Sequence, residues 1–528
     1  MSQPTEAPRR RTAVNTSIFS VATGLSRIAG LIREIVAAGY FGTGGPASAF
    51  TLAFQIPNLI RALVADAALS SAFVPVFSDL LEHRRRKEAY QLASALAGLI
   101  LVALGAVCLL FIALAPQIIP LFTGDKFTPE LDDLCVGLSR VLFPIVVLLG
   151  LNGLAVGILN AHDHFTVPAI APLLWNVVIV AGMVALTPLF HGPNRLYAYA
   201  IGVLAATVVQ LAIMLPALRR IGYPVARIRL PRRGDPRVTR VLSLMLPVSV
   251  GLGLINIDLV LNSTLGSLVS DQAPRAIDAA FRIYMLPQGM FSVAVATVLF
   301  PALSRLAARR DLAGLRATTG VGLRQIALLL IPAGAAMVAL ATPIVRLVYQ
   351  RGEFDAESTR QVAEALFWFA FSLPFSGFNL LLTRSFFSLQ RPWLPTTLAL
   401  GSLVVNAGVS VALYKPLGIG GLVLGTAVSN AVLTVSEAAY LRRELDGLEL
   451  TRTIRAIAQM LLGAAAFGGA AYGAWWVLDQ ALGRSLPAQI VSVGGGLTLG
   501  GAAYAAIVLA LRIPEARQVR DLVTRRRS

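Results

Sequence analysis

The sequence is poor in charged residues and lacks any polar stretch long enough to form a separate domain. Only 14% of its 528 residues are charged, whereas 56% are hydrophobic, and the mean hydropathy is +0.72. A water-soluble fold of this length has too little interior to bury so much apolar surface. The composition therefore predicts a membrane protein and excludes a soluble enzyme.

Cysteine is also scarce. The chain has two, Cys108 and Cys135, and both lie in or beside apolar segments with no CxxC motif and no Cys/His cluster. This pattern indicates neither a disulfide framework nor a cysteine-based metal site.

Acidic residues are fewer than basic ones, 27 against 45, which gives a formal net charge of +18. In a soluble protein this excess would suggest nucleic-acid binding. Here the arginines lie in short clusters between apolar blocks, as is typical of cytoplasmic loops of membrane proteins. We therefore expect no nucleic-acid partner.

The apolar blocks predict about fourteen transmembrane helices, because one span needs roughly 20 mostly apolar residues. Several blocks are longer than one bilayer thickness, which predicts tilt, extension into water, or kinks at prolines such as Pro57 and Pro287. The predicted spans are residues 14–40, 48–80, 89–122, 131–160, 166–190, 196–219, 241–270, 276–305, 316–348, 358–388, 394–414, 419–441, 454–478 and 486–511.

The basic clusters fall on one side of the membrane when these spans alternate, so both termini are predicted to be cytoplasmic. The longest polar connection divides the first twelve helices into two sets of six with the same orientation, and a similar Pro-containing second helix in each set favours a repeat. The fold class is thus an all-α polytopic membrane protein with two parallel six-helix lobes plus two C-terminal helices. The predicted parts are a tail at 1–13, a first lobe at 14–220, a basic linker at 221–240, a second lobe at 241–445, helices thirteen and fourteen at 446–512, and a basic tail at 513–528.

Charged residues inside the predicted spans are candidate functional residues, since a charge near the bilayer centre is costly unless it faces water or a partner. They are Arg27, Arg33, Arg61, Asp66, Asp258, Arg282, Arg384 and Glu437. Simpler explanations stay open for some of them. Arg27 and Glu34 share one face of the first helix and could pair with each other. Arg33 and Arg384 could snorkel towards the interface or contact a neighbouring helix.

Arg61 and Arg282 occupy the second helix of each set, so both are expected to face a shared cleft. Several arginines with fewer acidic partners would form an anion site, and a guanidinium group binds phosphate oxygens in a bidentate manner. Asp258 is followed one turn later by Asn262, and these oxygens could hold Na⁺ or a proton. A buried hydrogen bond between the carboxylate and the amide is the alternative.

Several motifs resemble the MurJ (MviN) family of lipid II flippases. They are SRIAGLIRE at residues 26–34, FQIPNLIR at 54–61 and AFVP at 72–75, with further matches at Asn160, Phe165, residues 168–172, Asn176, Arg282, Pro287 and Pro301. The similarity extends from about residue 13 to residue 445. Two positions depart from the family pattern: Ser48 replaces an acidic residue at the start of helix two, and His164 replaces a basic residue in the fourth loop.

The resemblance implies the multidrug/oligosaccharidyl-lipid/polysaccharide exporter fold, with two lobes around a central cavity and two extra helices that form a groove for a lipid tail. It implies that Arg27, Arg33, Arg61, Arg282 and Asp66 contribute to substrate binding. The implied substrate is lipid II, the undecaprenyl-pyrophosphoryl disaccharide-pentapeptide. Coupling to Na⁺ or H⁺, contacts with membrane lipids and association with other cell-wall synthesis proteins would accompany this role.

The sequence thus predicts a plasma-membrane flippase that works by alternating access and has no catalytic residue and no cofactor. One alternative is an exporter of another polyprenyl-linked oligosaccharide or of drugs, although a drug exporter would be expected to have an acidic cavity. Another is a membrane glycosyltransferase. That enzyme would need acidic catalytic residues on large outer loops, which the sequence lacks.

Overall fold

A computed structural model describes residues 6–64, 67–225, 228–230 and 235–517 of the chain. Throughout these residues the regular structure is helical, which confirms the predicted all-α membrane class. Ten of the described helices are long and apolar enough to cross a membrane. Each of the fourteen predicted spans lies in one helix, in part of a longer helix or in two successive helices, so the predicted count agrees with the structure.

The chain divides into two compact units, residues 1–275 and 276–528. The helices that begin in the first unit are α1 (Glu6–Phe41), α2 (Gly45–Val64), α3 (Ala67–Glu82), α4 (Arg86–Ile118), α5 (Pro129–Leu142), α6 (Ile145–Asn160), α7 (Thr166–Leu186), α8 (Leu196–Ala212), α9 (Met214–Arg220), α10 (Pro236–Val269) and α11 (Ala273–Pro287). The helices of the second unit are α12 (Val293–Ala308), α13 (Leu312–Tyr349), α14 (Ala356–Ser388), α15 (Trp393–Glu444), α16 (Leu450–Leu482) and α17 (Leu486–Ala510).

In the first unit, α1 packs on α7, which in turn packs on α8. The contact between α7 and α8 is close because glycines face each other there: a Cβ on Gly182 would lie 2.9 Å from the Cα of Gly202. Helix α10 packs on α2 and α3. The second lobe was predicted to begin in this helix, at residue 241. The boundaries given above for the two lobes stay a prediction.

The basic linker ends at a capped helix. The Asp235 carboxylate accepts a hydrogen bond from the backbone N–H of Arg237 over 3.0 Å at the start of α10. The Arg237 side chain also donates to this carboxylate and holds its pKa below the ordinary value. The same guanidinium donates to Glu88 at 3.0 Å in the first turn of α4, so the end of the linker is fixed to that helix.

In the second unit, α13 packs on α14 and α16, α14 packs on α15, and α16 packs on α17. Helix α15 contains two predicted spans, and they are separated at Gly418, whose φ of +54° favours glycine. A π-helical turn, which is a common cause of a kink, follows Pro287, one of the two prolines where a kink was predicted. Helix α11 ends at this proline and is followed by a π-helical turn at 288–292, whereas α2 continues through Pro57 to Val64.

Candidate functional site

A buried carboxylate joins two arginines in the first unit. Glu34 on α1 is 3% exposed. Its Oε1 accepts hydrogen bonds from Arg33 at 3.2 and 2.6 Å, and its Oε2 accepts from both terminal nitrogens of Arg275 at 3.5 and 3.4 Å. We call these three residues the Glu34 cluster. The cluster brings a guanidinium from the first turn of α11 to the C-terminal part of α1.

Neighbouring helices hold the Glu34 cluster in place. The Arg33 guanidinium lies 5.0 Å from the ring centroid of Trp175 on α7, within the range of a cation–π contact. The backbone N–H of Arg275 donates to the hydroxyl of Ser48 over 3.2 Å. Ser48 is one of the two positions at which the sequence departs from the pattern that the resemblance implies. Here its neutral hydroxyl satisfies a donor of the first turn of α11.

Arg61 belongs to a second polar group, between α2 and α10. Its guanidinium donates to the Asn58 side-chain oxygen at 3.0 and 2.7 Å, and Asn58 donates to the Asn256 side chain at 2.9 Å. Two turns away on α2, Gln55 donates to the hydroxyl of Ser263 at 2.7 Å. Polar contacts therefore follow the interface between the two helices and orient Arg61.

Asp258 lies on the same stretch of α10 as Asn256. Its carboxylate accepts a hydrogen bond of 3.3 Å from the Asn262 side chain, which is the contact given above as the alternative to a cation site. No cluster of three or more His, Cys, Asp or Glu side chains suited to a metal ion occurs within the described ranges. A monovalent cation at Asp258 stays a prediction. Asp66, the other predicted acidic residue, lies outside the described residues.

Arg27 differs from Arg33 and Arg61 in its surroundings. Its side chain is exposed, and no hydrogen bond or ion pair joins it to any described residue. The adjacent Ser26 carbonyl accepts from Asn176 of α7 at 3.5 Å, which fixes the α1 backbone at this level. The expected alternative was an ion pair between Arg27 and Glu34. The structure does not show this alternative, because the arginines described on Glu34 are Arg33 and Arg275.

The second unit contains the other predicted charges. Arg282 forms an ion pair with Asp278 one turn earlier on α11, with distances of 3.0 and 3.3 Å. Arg384 on α14 lies 5.2 Å from the ring centroid of Phe300, which agrees with the expected contact to a neighbouring helix. Glu437 on α15 is fully buried and accepts a hydrogen bond from Thr383 over 2.9 Å.

The sequence patterns did not identify two buried arginines, Arg275 and Arg324, as candidate functional residues. Arg275 is seven residues before Arg282, so both lie on one face of a helix, and this spacing was the available signal. Arg324 lies within the predicted span 316–348. It contacts Glu515 at 2.5 Å and Glu449 at 2.9 Å in the second unit.

An anion site formed by the arginines stays a prediction. Guanidinium groups that donate to carboxylate and amide oxygens have the geometry to donate to phosphate oxygens instead, two at a time. Arg33, Arg61 and Arg275 lie in apolar helices where water competes less for these hydrogen bonds, so each bond is stronger than at a protein surface.

The chain is similar to one family of known proteins over most of its length. The family model described as "Lipid II flippase MurJ" matches residues 37–508. The protein of Burkholderia cenocepacia named "Lipid II flippase MurJ" is 31% identical over 410 residues, which are 77% of this chain and 79% of that protein. The Rhizobium meliloti protein named "Probable lipid II flippase MurJ" is 30% identical over 515 residues, 95% of this chain and 94% of that protein.

Solved structures show the same fold. A structure titled "Lipid II flippase MurJ, inward closed conformation" has a TM-score of 0.77 at 21% identity and covers 94% of this chain and 99% of that one. An inward-facing transporter of the multidrug resistance MATE family has a TM-score of 0.68 at 16% identity, covering 80% and 94%. The predicted exporter fold is thereby confirmed.

Proposed function

This chain belongs to the MurJ family of lipid II flippases, and we propose that it moves lipid II from the inner to the outer leaflet of the bacterial plasma membrane. The family and the multi-pass helical architecture support a transport role. The proposal assigns no covalent step to the protein. Its substrate would be lipid II, and its environment the bilayer lipids around the helices.

The observation that carries this proposal is the position of Arg27. From residue 14, where the predicted span begins, Arg27 is roughly 20 Å along the helix at 1.5 Å per residue. Its side chain is exposed and has no described partner at that depth. A guanidinium in the middle of an apolar span is stable when it faces a wet cavity or an anion rather than lipid tails. Arg27 therefore supports a water-filled anion site inside the membrane.

The pyrophosphate of lipid II is the anion that such a site would bind. Two phosphate groups offer more oxygens than one guanidinium can satisfy, so the substrate-binding residues of the proposal are the predicted Arg27, Arg33, Arg61 and Arg282, with Asp66 as the acidic member. The sugar and peptide would pass through the cavity while the polyprenyl tail stays in lipid. Alternating access would then expose the site to each leaflet in turn.

The orientation follows from the basic loops. With both termini cytoplasmic, the arginine-rich linker at 221–240 also faces the cytoplasm, where the lipid-linked precursor would enter. Asp258 would couple transport to Na⁺ or H⁺, because neutralising a single carboxylate changes the charge that α10 carries into the membrane. Other cell-wall synthesis proteins would use the product on the outer leaflet.

Reconstitution tests the function directly. Purified protein in liposomes that contain labelled lipid II should increase the fraction of lipid II accessible to a membrane-impermeant quencher, compared with protein-free liposomes. A polyprenyl-linked oligosaccharide with another head group serves as the specificity control. Equal accessibility of lipid II to the quencher with and without the protein would contradict the proposal. Transport of the control lipid but not of lipid II would show that the control lipid is the substrate.

A further inference from the structure

Helices α14 and α15 of the second unit share a buried polar surface that the proposed transport site does not use. Polar residues recur along one face of α14 and along the facing part of α15 after Gly418. We call them the polar seam. Its members are Ser372, Ser376, Asn379 and Thr383 of α14 and Asn430, Thr434 and Glu437 of α15.

Hydrogen bonds connect most of the seam. Ser372 contacts the hydroxyl of Tyr284 at 3.1 Å and accepts from Asn430 at 3.3 Å. Asn379 donates to the Asn430 side chain at 3.0 Å, and Thr434 donates to the Asn379 oxygen at 2.5 Å. The seam therefore satisfies its amides and hydroxyls internally, as a buried polar group must to avoid a large desolvation cost.

Glu437 is the exception. Its side chain is 0% exposed, and Thr383 donates to Oε1 at 2.9 Å. Its Oε2 is buried without a hydrogen-bond partner among the described residues. Glu515, another buried carboxylate of this unit, has an arginine beside it, whereas the described partner of Glu437 is a neutral hydroxyl. A buried carboxylate with one neutral donor is much less stable as an anion than as the neutral acid.

No charged group of the described residues makes a hydrogen bond or an ion pair with Glu437. On α14, the helix packed against it, Arg384 follows Thr383 in sequence and lies over the Phe300 ring. The other charges of α14 are Glu357, Arg360 and Glu364, near the opposite end of that helix. On α15 the neighbours are Tyr440, Arg442, Arg443 and Glu444. Arg443 lies 5.8 Å from the Tyr440 ring, and Glu444 pairs with Arg391.

We propose that Glu437 is a proton-binding site. In the packed seam its carboxyl is the neutral acid, and the proton leaves to water when α14 and α15 separate enough for water to reach Oε2. On release the carboxyl O–H bond breaks as water gains the proton in a new O–H bond, binding is the reverse, and no other reactant is needed. A metal cation fits less well, because hard cations require a cage of several oxygens and the described residues supply one hydroxyl here. This inference goes beyond the proposed transport function and does not depend on the identity of the substrate.

Infrared difference spectroscopy of the purified full-length protein at a series of pH values tests the proposal. A protonated carboxyl gives a C=O stretching band that a carboxylate lacks. Wild type should show this band at neutral pH and lose it reversibly as the pH rises, and Glu437→Gln should lack it. The matched control is Glu82→Gln, which changes an exposed glutamate at the end of α3 and should retain the band.

Thr383→Val provides a second test should Glu437→Gln fail to fold. The loss of the hydroxyl donor should shift the band to higher frequency, because a C=O group without a hydrogen bond has a stiffer bond. Two results would overturn the proposal. One is that every pH-dependent C=O band of the wild-type protein is still present in the Glu437→Gln variant, or that the wild type has no such band. The other is a Glu437 band that persists at every pH at which the protein stays folded, which would mark a permanently neutral structural acid.

Discussion

Glu34 Oε2 lies 3.4 Å from Nη2 of Arg275, although 241 residues separate the two in the chain. Both side chains are almost fully buried, at 4% and 7% exposure. The contact joins the C-terminal part of α1 to the first turn of α11. Because Arg33 binds the other oxygen of the same carboxylate, Glu34 holds two guanidinium groups together.

Removing the Glu34 charge should destabilise the protein strongly. Glu34→Gln leaves Arg33 and Arg275 close together without a carboxylate, and breaking a buried ion pair in this way costs about 3–5 kcal/mol. Thermal unfolding in detergent should show a clear drop in melting temperature, whereas the exposed Glu82→Gln variant should not. The double variant Glu34→Gln/Arg275→Met should recover part of the loss. Strictly additive losses would contradict the coupling between the two residues.

Arg324 should be as important for the second unit. It is 2% exposed and lies between Glu515 and Glu449, so Arg324→Met leaves two carboxylates without their cation. We expect a loss of about 3–5 kcal/mol in the free energy of unfolding, as for other broken buried pairs. Arg309→Met is the control, because this arginine is exposed at the end of α12. Equal melting temperatures for the two variants would show that the Arg324 contacts do not stabilise the unit.

The predicted orientation can be tested by cysteine labelling. In a protein without Cys108 and Cys135, cysteines at Ser2 and Ser528 should be protected from an impermeant thiol reagent in intact cells, because both termini are predicted to be cytoplasmic. A cysteine at Lys126 in the second outer loop should be labelled. Lys126 is exposed, whereas a side chain at Gly124, two residues earlier, would approach Leu268 to 2.5 Å. Labelling of either terminus would reverse the proposed direction of transport.

Asp258 should affect coupling more than substrate binding. Asp258→Asn keeps the size of the side chain but removes its charge. If a cation or proton binds there, flipping by the variant should lose its dependence on Na⁺ or on pH while lipid II binding is retained. Asn262→Ala is a useful companion variant, because it removes the hydrogen-bond donor to Asp258 and keeps the Asp258 charge. Unchanged responses to Na⁺, pH and membrane potential in Asp258→Asn would leave Asp258 with a structural role.

The sequence predicted the fold well because hydropathy is a local property. Each apolar block gave one helix or successive helices, and the break inside α15 falls at Gly418, between two predicted spans. Helix ends were less accurate where a helix extends into water, as α13 does from residue 312 although its span was predicted to start at 316. The break between α5 and α6 near Pro144 was not predicted, because hydropathy stays high across it.

The pairing of the charges was much harder to predict. Arg27 and Glu34 share a helical face, so spacing favoured their pairing, but Glu34 is bound by Arg33 and by Arg275. Spacing along α1 cannot reveal a partner on another helix, such as Arg275 on α11. The Arg33 side chain is also long enough to reach Glu34, although helical geometry places consecutive residues on different faces. The same limit applies to Arg61, whose contacts to Asn58 and on to Asn256 depend on the packing of α10.

The arginine site is the central claim, and lipid II binding and flipping by arginine variants tests it most directly. Lysine keeps the charge but loses the planar two-point contact of arginine. A hydrogen bond to a charged group contributes roughly 1.5–3 kcal/mol, which is equivalent to about tenfold to a hundredfold in affinity. The test uses variants that accumulate normally in the membrane. When Arg27, Arg61 or Arg282 is changed to Lys, we predict at least tenfold weaker lipid II binding and slower flipping, and a larger loss with Ala. The control variant Arg309→Ala should behave as wild type. Wild-type binding and flipping by the Arg27→Ala, Arg61→Ala and Arg282→Ala variants would contradict the account.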